Sequence, residues 1–249
     1  NEFFIMKLKK IAIASLLICS AFNTALADTH WGYSGETSPD HWGKLNNDYY
    51  LCEKGFNQSP IDITNTIDGA LPELNFTFEK NNQEIINNGH TIQVNTIDDI
   101  VIIDGNKYQL QQFHAHKPSE NTIDNKQYPI ELHFVHAKDN GEIAVIGVMV
   151  EEGKANEGFE TLLNNLPKEV NNSKKIIKEI DISDLYPSNK DYYRFSGSLT
   201  TPPCSEGIIW IVMKTPITAT KQQIEKLEKA LGEDNNRPIQ PLHGRVIIK

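Results

Sequence analysis

The chain has 249 residues, of which 39% are hydrophobic and 23% charged, so it can bury a large core and does not have the composition of a disordered protein. Its net charge of −9 repels nucleic acid and anionic lipid, which argues against either as a partner. No repeat, low-complexity tract or linker divides the sequence after Asp28, so we expect one domain over residues 28–249.

The first 27 residues have the pattern of a secretory signal peptide. Three lysines precede the apolar run IAIASLLICSAF, and the small residues of Ala25 to Ala27 form a cleavage site. The run is shorter than the roughly 20 residues that span a bilayer, which disfavours a membrane anchor. The residues before Met6 are interpreted as an upstream remnant, and a lipoprotein cysteine at Cys19 is disfavoured because Ile18 is not small. We expect a periplasmic or secreted protein.

Short alternating runs typical of β-strands recur along the rest of the chain. In order they are TIQVNT, DIVIID, KYQLQQFHAH, IELHFVHA, EIAVIGVMVE and GIIWIVMKTPI. Helical periodicity occurs in GFETLLNNLPKEV and in TATKQQIEKLEKALG, where Thr218 or Thr220 serves as the N-cap and Gly232 ends the helix. The pattern predicts a mainly β domain, with strands joined largely as antiparallel neighbours and a few short peripheral helices.

The cysteines predict one disulfide. Cys19 lies in the predicted signal peptide, so Cys52 and Cys204 remain as an even pair in an oxidising compartment. The alternative is two buried free thiols.

Four of the eight histidines lie within the two predicted strands QFHAH and IELHFVHA. Successive side chains of a strand point to opposite faces. If the two strands pair, one face of the sheet carries six side chains: Gln112, His114, His116, Glu131, His133 and Val135. His136 lies on the other face.

That face has the composition of a catalytic zinc site. Zinc prefers nitrogen ligands, and three protein ligands leave a fourth position for water. Gln112 and Glu131 are placed to accept the second N–H of a metal-bound imidazole. The alternative is a polar strand face without metal, since H-x-H alone is a weak signal.

The sequence resembles the α-class carbonic anhydrases over almost all of residues 28–249. Eight motifs carry the resemblance in order: HWGYSG, NQSPIDI, NNGHTIQV, QFHAHKPSE, ELHFVHA, AVIGVMVE, GSLTTPPCSEGIIWIV and NNRPIQPLHGR. The resemblance implies a single domain with a central, mostly antiparallel twisted sheet and a conical active-site cleft. It implies one Zn²⁺, held by His114, His116 and His133, and reversible hydration of carbon dioxide to bicarbonate and a proton by attack of zinc hydroxide.

The resemblance also assigns roles to other residues. Glu120 and Thr200 orient the nucleophile, and His90 carries the proton to solvent. Waters on its path are ordered by Tyr33, Asn88 and Gln93. Val135, Val145, Leu199 and Trp210 form an apolar shelf for carbon dioxide. Thr201 makes a hydrogen bond to bicarbonate. The Cys52–Cys204 pair matches a disulfide of extracellular and bacterial members.

Two positions depart from the family pattern, and other functions remain open. Many members have an aromatic residue where this chain has Lys117 and a shorter loop to Glu120, a difference expected to alter the cleft rim and the packing around the ligands but not the zinc. Many have a histidine where this chain has Asn121, which leaves part of a buried hydrogen-bond network undefined. The alternatives to an active enzyme are a catalytically silent binding module of the same fold and an esterase with larger substrates. The small-molecule partner is carbon dioxide or bicarbonate, and a homodimer is compatible with the sequence.

Overall fold

The computed structural model describes residues 30–79 and 83–249, so the predicted signal peptide lies outside the described residues. The described part contains thirteen strands: β1 (Asp62–Ile63), β2 (Asn75–Thr77), β3 (Glu84–Asn87), β4 (Ile92–Asn95), β5 (Ile100–Ile103), β6 (Asn106–His116), β7 (Thr122–Ile123), β8 (Ile130–Ala137), β9 (Ile143–Glu152), β10 (Asn172–Lys175), β11 (Tyr192–Ser198), β12 (Glu206–Met213) and β13 (Ile217–Ala219).

The described residues also contain a few short helices. The α-helices are α1 (Trp42–Leu45), α2 (Tyr50–Lys54), α3 (Glu157–Asn164) and α4 (Lys221–Leu231), and the 3₁₀ turns are Gly35–Thr37, Asn47–Tyr49 and Ile182–Leu185. None of the described helices is long and apolar enough to cross a membrane.

One large sheet organises the fold. Its main path runs β10-β3-β4-β6-β8-β9-β12-β11, with β5 paired to β6 and β2, and β13 paired to β9. Pairing is antiparallel except where β12 and β13 run parallel to β9. A separate two-stranded parallel sheet joins β1 and β7. The predicted mainly β fold with a mostly antiparallel sheet is confirmed.

The two faces of the sheet have different environments. Phe113, Leu132 and Phe134 point into the larger apolar core, which also receives α3 and α4. Residues of the opposite parity, among them His114 and His133, point to the other face. Burying one face fixes the register, because a slip of one residue would exchange the faces.

Helix ends agree with the sequence at one helix and differ at the other. Thr220 caps α4 through a reciprocal capping box with Gln223, so it is the cap rather than Thr218. The helix predicted to run to Val170 ends at Asn164, because Pro167 disfavours helical geometry at the preceding residue. The run GIIWIVMKTPI divides into β12 and β13.

The disulfide closes a small cluster beside the sheet. Cys52 and Cys204 are bonded across 152 residues and pack with the buried Trp42. Trp31 meets Trp42 edge to face, with ring centres 5.3 Å apart. The bond ties α2 to the loop that follows Thr200.

Candidate metal centre

Three histidines from two neighbouring strands converge at one point of the large sheet. His114 and His133 are register partners in the β6–β8 pair, and His116 lies two residues beyond His114 on the same face. One ring nitrogen from each residue lies within 4.8 Å of the other two. The pairing of β6 with β8 therefore brings the three imidazoles together as strand parity predicts.

Two of these histidines have the same ring nitrogen engaged. His114 Nδ1 lies 2.8 Å from Gln112 Oε1. His116 Nδ1 lies 2.7 Å from the main-chain oxygen of Asn235. Both oxygens can only accept, so each Nδ1 carries the proton and each Nε2 keeps a free lone pair.

His133 is held the other way round. Its Nε2 lies 3.0 Å from Glu131 Oε1, although the contact does not have hydrogen-bond geometry. The nearby carboxylate favours the proton on Nε2, which leaves Nδ1 as the nitrogen with a free lone pair. That Nδ1 lies 3.8 Å from Glu120 Oε2. The three nitrogens with free lone pairs are thus His114 Nε2, His116 Nε2 and His133 Nδ1.

The donor set fits zinc. Burial lowers the pKa of all three histidines, and the nearby ring of His116 lowers the pKa of His114 and His133 further. The neutral imidazole thus favoured is the form that binds metal. His116 Nε2 is buried without a hydrogen-bond partner in the described part of the chain. A bound cation would satisfy that nitrogen, and three nitrogen donors with one open position is the arrangement of a catalytic zinc site.

Glu131, which orients His133, is itself held by the chain that precedes it. Glu131 Oε2 accepts the main-chain N–H groups of Glu120 and Asn121, both at 2.8 Å. Asn121 Nδ2 donates to Glu131 Oε1 at 2.8 Å, and its Oδ1 accepts from Ile61 N–H at 3.0 Å. Burial raises the pKa of Glu131 to about 7, and the Asn121 hydrogen bonds oppose this shift. At the position where many members have histidine, Asn121 therefore uses both ends of its amide.

Glu120 lies beneath the three ligands. Its Oε1 accepts Arg237 N–H at 2.8 Å, and its Oε2 lies 3.5 Å from His116 Nε2. Burial raises the pKa of Glu120 to about 8, against the hydrogen bonds from Arg237 and Thr200. A dication on the histidines would oppose that rise, because it favours the carboxylate. The structure thus joins Thr200, Glu120 and the metal ligands in one buried group.

An apolar wall stands beside His133. Trp210 is buried, meets His133 edge to face at 4.9 Å and donates Nε1–H to Ser198 O at 2.9 Å. Val145 is buried in the same cluster, and Val135 and Leu199 pack against it while remaining partly exposed. The resemblance predicts that these residues form the shelf for carbon dioxide.

The predicted proton carrier lies on a turn at the edge of the sheet. The His90 ring is half-buried and stacks on Trp31, with ring centres 3.8 Å apart and planes inclined by 8°. His30 lies 6.1 Å away, measured between ring centres. Desolvation lowers the pKa of His90, and the electrostatic interaction with His30 lowers it further. The shift favours the neutral imidazole, which is the form that can accept a proton.

Polar residues connect this turn with the sheet. Asn88 Oδ1 accepts the main-chain N–H groups of His90 and Thr91, each at 2.9 Å. Asn88 Nδ2 lies 3.4 Å from Gln93 Oε1, and Gln93 Nε2 donates to Asn95 Oδ1 at 2.6 Å.

Tyr33 lines a cavity of about 390 Å³ together with His30 and His90. Burial raises the pKa of Tyr33, so its hydroxyl keeps its proton. Thr201 is partly exposed, and its main-chain oxygen accepts Cys204 N–H at 2.9 Å.

A family comparison agrees with this geometry. The family model for eukaryotic-type carbonic anhydrase matches residues 37–249. The chain belongs to the α-class carbonic anhydrase family.

Similar proteins include bacterial carbonic anhydrases. A carbonic anhydrase of Pectobacterium atrosepticum is 46% identical over 241 residues, which cover 96% of this chain and 98% of that protein. One from Neisseria gonorrhoeae is 43% identical over 246 residues, covering 97% of each chain. The α-carbonic anhydrase of Thermovibrio ammonificans, solved with sulfanilamide, superposes with a TM-score of 0.87 at 46% identity, covering 89% of this chain and 99% of that one. The activity of the family, and of this chain as a member, is the zinc-dependent reversible hydration of carbon dioxide.

Sequence reasoning missed one residue that a carbonic anhydrase of this geometry uses, Asn235. It appears in the sequence only as the first residue of NNRPIQPLHGR, and its contact with His116 spans 119 positions. Lys117, the other departure from the family, donates its main-chain N–H to Asn235 Oδ1 at 2.7 Å, while its ammonium lies 3.7 Å from Asp234. Lys117 thus contacts the same residue, Asn235, that holds His116.

Proposed function

We propose that this chain hydrates carbon dioxide at one Zn²⁺ held by His114 Nε2, His116 Nε2 and His133 Nδ1. The observation that supports the assignment is the convergence of one ring nitrogen from each histidine within 4.8 Å of the other two. The Nδ1 atoms of His114 and His116 pair with oxygen acceptors, and His133 Nε2 lies 3.0 Å from Glu131 Oε1. Zinc bound there supplies a Lewis acid that lowers the pKa of a coordinated water, an effect for which carbonic anhydrase is the standard example.

Glu120 and Thr200 orient the nucleophile. Glu120 Oε1 accepts Arg237 N–H, and the nearby Thr200 hydroxyl opposes the rise that burial causes in the pKa of Glu120. We assign the Thr200 hydroxyl as a hydrogen-bond donor to Glu120. The Thr200 oxygen is then left to accept the proton of the attacking oxygen, which directs a lone pair of that oxygen at carbon.

The apolar wall binds the substrate. Carbon dioxide has no charge, so burial against Val135, Val145, Leu199 and Trp210 favours its transfer from water. Bicarbonate is charged and gains less from this surface. We assign Thr201, at the open side of the wall, to a hydrogen bond with the product.

His90 exports the proton through waters ordered by Tyr33, Asn88 and Gln93. Its ring is half-buried beside the cavity that Tyr33 lines, and its lowered pKa favours the neutral imidazole that accepts a proton. His90→Ala should lower kcat about 10- to 100-fold in weak buffer, within the range that a positioned acid or base contributes. Added imidazole should restore kcat, whereas an unchanged kcat in weak buffer would contradict the role.

The decisive test of the enzyme is stopped-flow carbon dioxide hydration before and after zinc removal by a chelator. Activity should be lost with the metal and return when Zn²⁺ is added back. Full zinc occupancy without hydration would instead favour a silent binding module, and activity that survives complete zinc removal would contradict the metal assignment.

The protein is proposed to be exported as a domain of residues 28–249. A disulfide is typical of compartments outside the cytoplasm, which supports a periplasmic or secreted location. N-terminal sequencing of protein recovered from the periplasm should begin at Asp28, and retention of residues 1–27 would contradict the signal peptide.

A further inference from the structure

Asn235 links the metal ligands to the turn that carries His90. Its side chain and main chain together make five polar contacts, and the residue is buried. Four residues share these five contacts, because Lys117 is contacted through both its N–H and its oxygen. Ala115 and His116 lie at the end of β6, Lys117 follows them, and His90 lies on the turn.

The side-chain amide makes three of these contacts. Asn235 Nδ2 donates to the main-chain oxygens of His90 and Ala115, both at 3.0 Å. Asn235 Oδ1 accepts Lys117 N–H at 2.7 Å. Two donated bonds and one accepted bond match a primary amide, since a carboxylate of the same shape has no donor for the two carbonyls.

The main chain of the same residue reaches the metal centre. Its oxygen is the acceptor that fixes the proton of His116 on Nδ1, at 2.7 Å. Its N–H donates to Lys117 O at 3.0 Å. Replacing the side chain therefore removes the link to His90 and leaves the contact with the metal ligand in the main chain.

Besides Asn235, Thr91 and the pairing of β4 with β6 connect the His90 turn to the metal strand. The His90 N–H is used within the turn, by Asn88 Oδ1. Thr91 Oγ1 donates to Ala115 O at 2.6 Å, so the same carbonyl receives the Thr91 hydroxyl and the Asn235 amide. Ala115 lies between two metal ligands, and this carbonyl thereby holds the turn at a set distance from the metal.

We propose that Asn235 is a positioning residue for proton export, which fixes the His90 turn against the strand that carries His114 and His116. The proposal rests on the proposed shuttle role of His90. A turn displaced by about 1 Å would lengthen or break the water path that the proton follows, and misplacement on that scale can reduce rates about 100-fold. Hydration of carbon dioxide itself does not use the turn.

The test is Asn235→Asp. The aspartate keeps the side-chain shape and the acceptor for Lys117 N–H, but it lacks the N–H groups that donate to the carbonyls of His90 and Ala115. Asn235→Ala removes all three side-chain contacts. We expect kcat in weak buffer to fall roughly tenfold, part of the range for a positioned acid or base, while kcat/KM changes by less than about twofold. Both constants are expressed per bound zinc, so a partly misfolded preparation still reports the ratio. Asn236→Asp, with the same change one position along, is the matched control and should alter neither constant.

Zinc content provides a readout independent of turnover. Because His116 is held by the main-chain oxygen, both variants should retain the zinc stoichiometry and chelator resistance of the parent. Loss of zinc in proportion to loss of kcat, with kcat/KM falling equally, would overturn the proposal and assign Asn235 to the metal centre.

A double-variant comparison separates this proposal from the role of His90. If Asn235 acts through His90, adding Asn235→Asp to His90→Ala should cause no further loss of kcat, and imidazole should rescue both single variants. If His90→Ala lowers kcat and Asn235→Asp does not, the inference fails while the shuttle stands. If His90→Ala has no effect, the shuttle itself is wrong.

Discussion

The metal centre and the proton-exit turn differ in how the chain holds their histidines. His116 and His133 are buried on paired strands; an acceptor from the chain fixes Nδ1 of His116, and Glu131 Oε1 lies 3.0 Å from Nε2 of His133. His90 is half-buried on a turn, where the described contacts of its ring are with aromatic neighbours rather than hydrogen bonds.

The two tasks require this difference. A metal ligand must keep one tautomer and one orientation, so a buried strand with a fixed acceptor suits it. A proton carrier must exchange protons with solvent and change charge in each cycle, so a fixed, fully buried ring would hinder it. The metal ligands are therefore held rigidly on the sheet, and the residue that we propose passes the proton to solvent lies on a turn at the edge of the sheet.

The largest effect is expected from removing a ligand. His114→Ala leaves two nitrogens for zinc, and we expect chelator resistance to fall by more than about 100-fold, the upper end of the effect of losing an outer partner. Carbon dioxide hydration should disappear with the metal. Metal analysis after dialysis and stopped-flow hydration measure both, and a fully active His114→Ala would contradict the ligand set.

His136→Ala provides the matched control for that variant. His136 is on the same strand as His133 but points to the opposite face, where its Nδ1 lies 3.0 Å from Phe134 O and burial lowers its pKa to about 4. We expect lower stability from the cavity with unchanged zinc stoichiometry.

The next largest effect concerns the partner of His114. Gln112→Ala removes the oxygen 2.8 Å from His114 Nδ1 and leaves the ligand in place. Zinc affinity should fall about 10- to 100-fold, as for other outer partners of metal-bound histidine. Chelator competition measures the change. Gln111→Ala, one position earlier and exposed, should leave affinity as in the parent.

The sequence predicts the metal centre better than the connections around it. Parity along β6 and β8 separates three histidines from His136, because alternation is a local property of strands. The contacts of Asn235 and Asn121 depend on loops that meet after the sheet has formed, and no local pattern specifies them. The exposed edge strand β10 was also beyond the sequence, because all of its residues are exposed and it has no apolar alternation. The end of α3 at Asn164, by contrast, had a local signal in Pro167 that the prediction did not use.

A smaller effect is expected at the departure from the family pattern. Asn121→Ala removes the donor to Glu131 Oε1 and leaves the buried Ile61 N–H without its acceptor, which should lower the free energy of unfolding by about 1–3 kcal/mol. Two main-chain N–H groups still hold Glu131 Oε2, so zinc affinity should change less than in Gln112→Ala. Urea unfolding of the zinc-loaded protein measures the first quantity, and a loss of affinity larger than for Gln112→Ala would contradict this ranking.

The smallest effect is expected at the edge of the proton-exit turn. Desolvation is the main cause of the lowered pKa of His90, and His30 adds to it; Tyr33, Glu233 and Asp234 are the other titratable groups around the same cavity. His30→Ala should therefore raise the pKa of His90, so the rise of kcat with pH moves to higher pH. Kcat/KM and zinc content should stay unchanged, because neither uses the turn. If His30→Ala moves the rise of kcat to lower pH, or if it causes the same shift in a protein that already carries His90→Ala, the pH dependence of kcat reports a group other than His90.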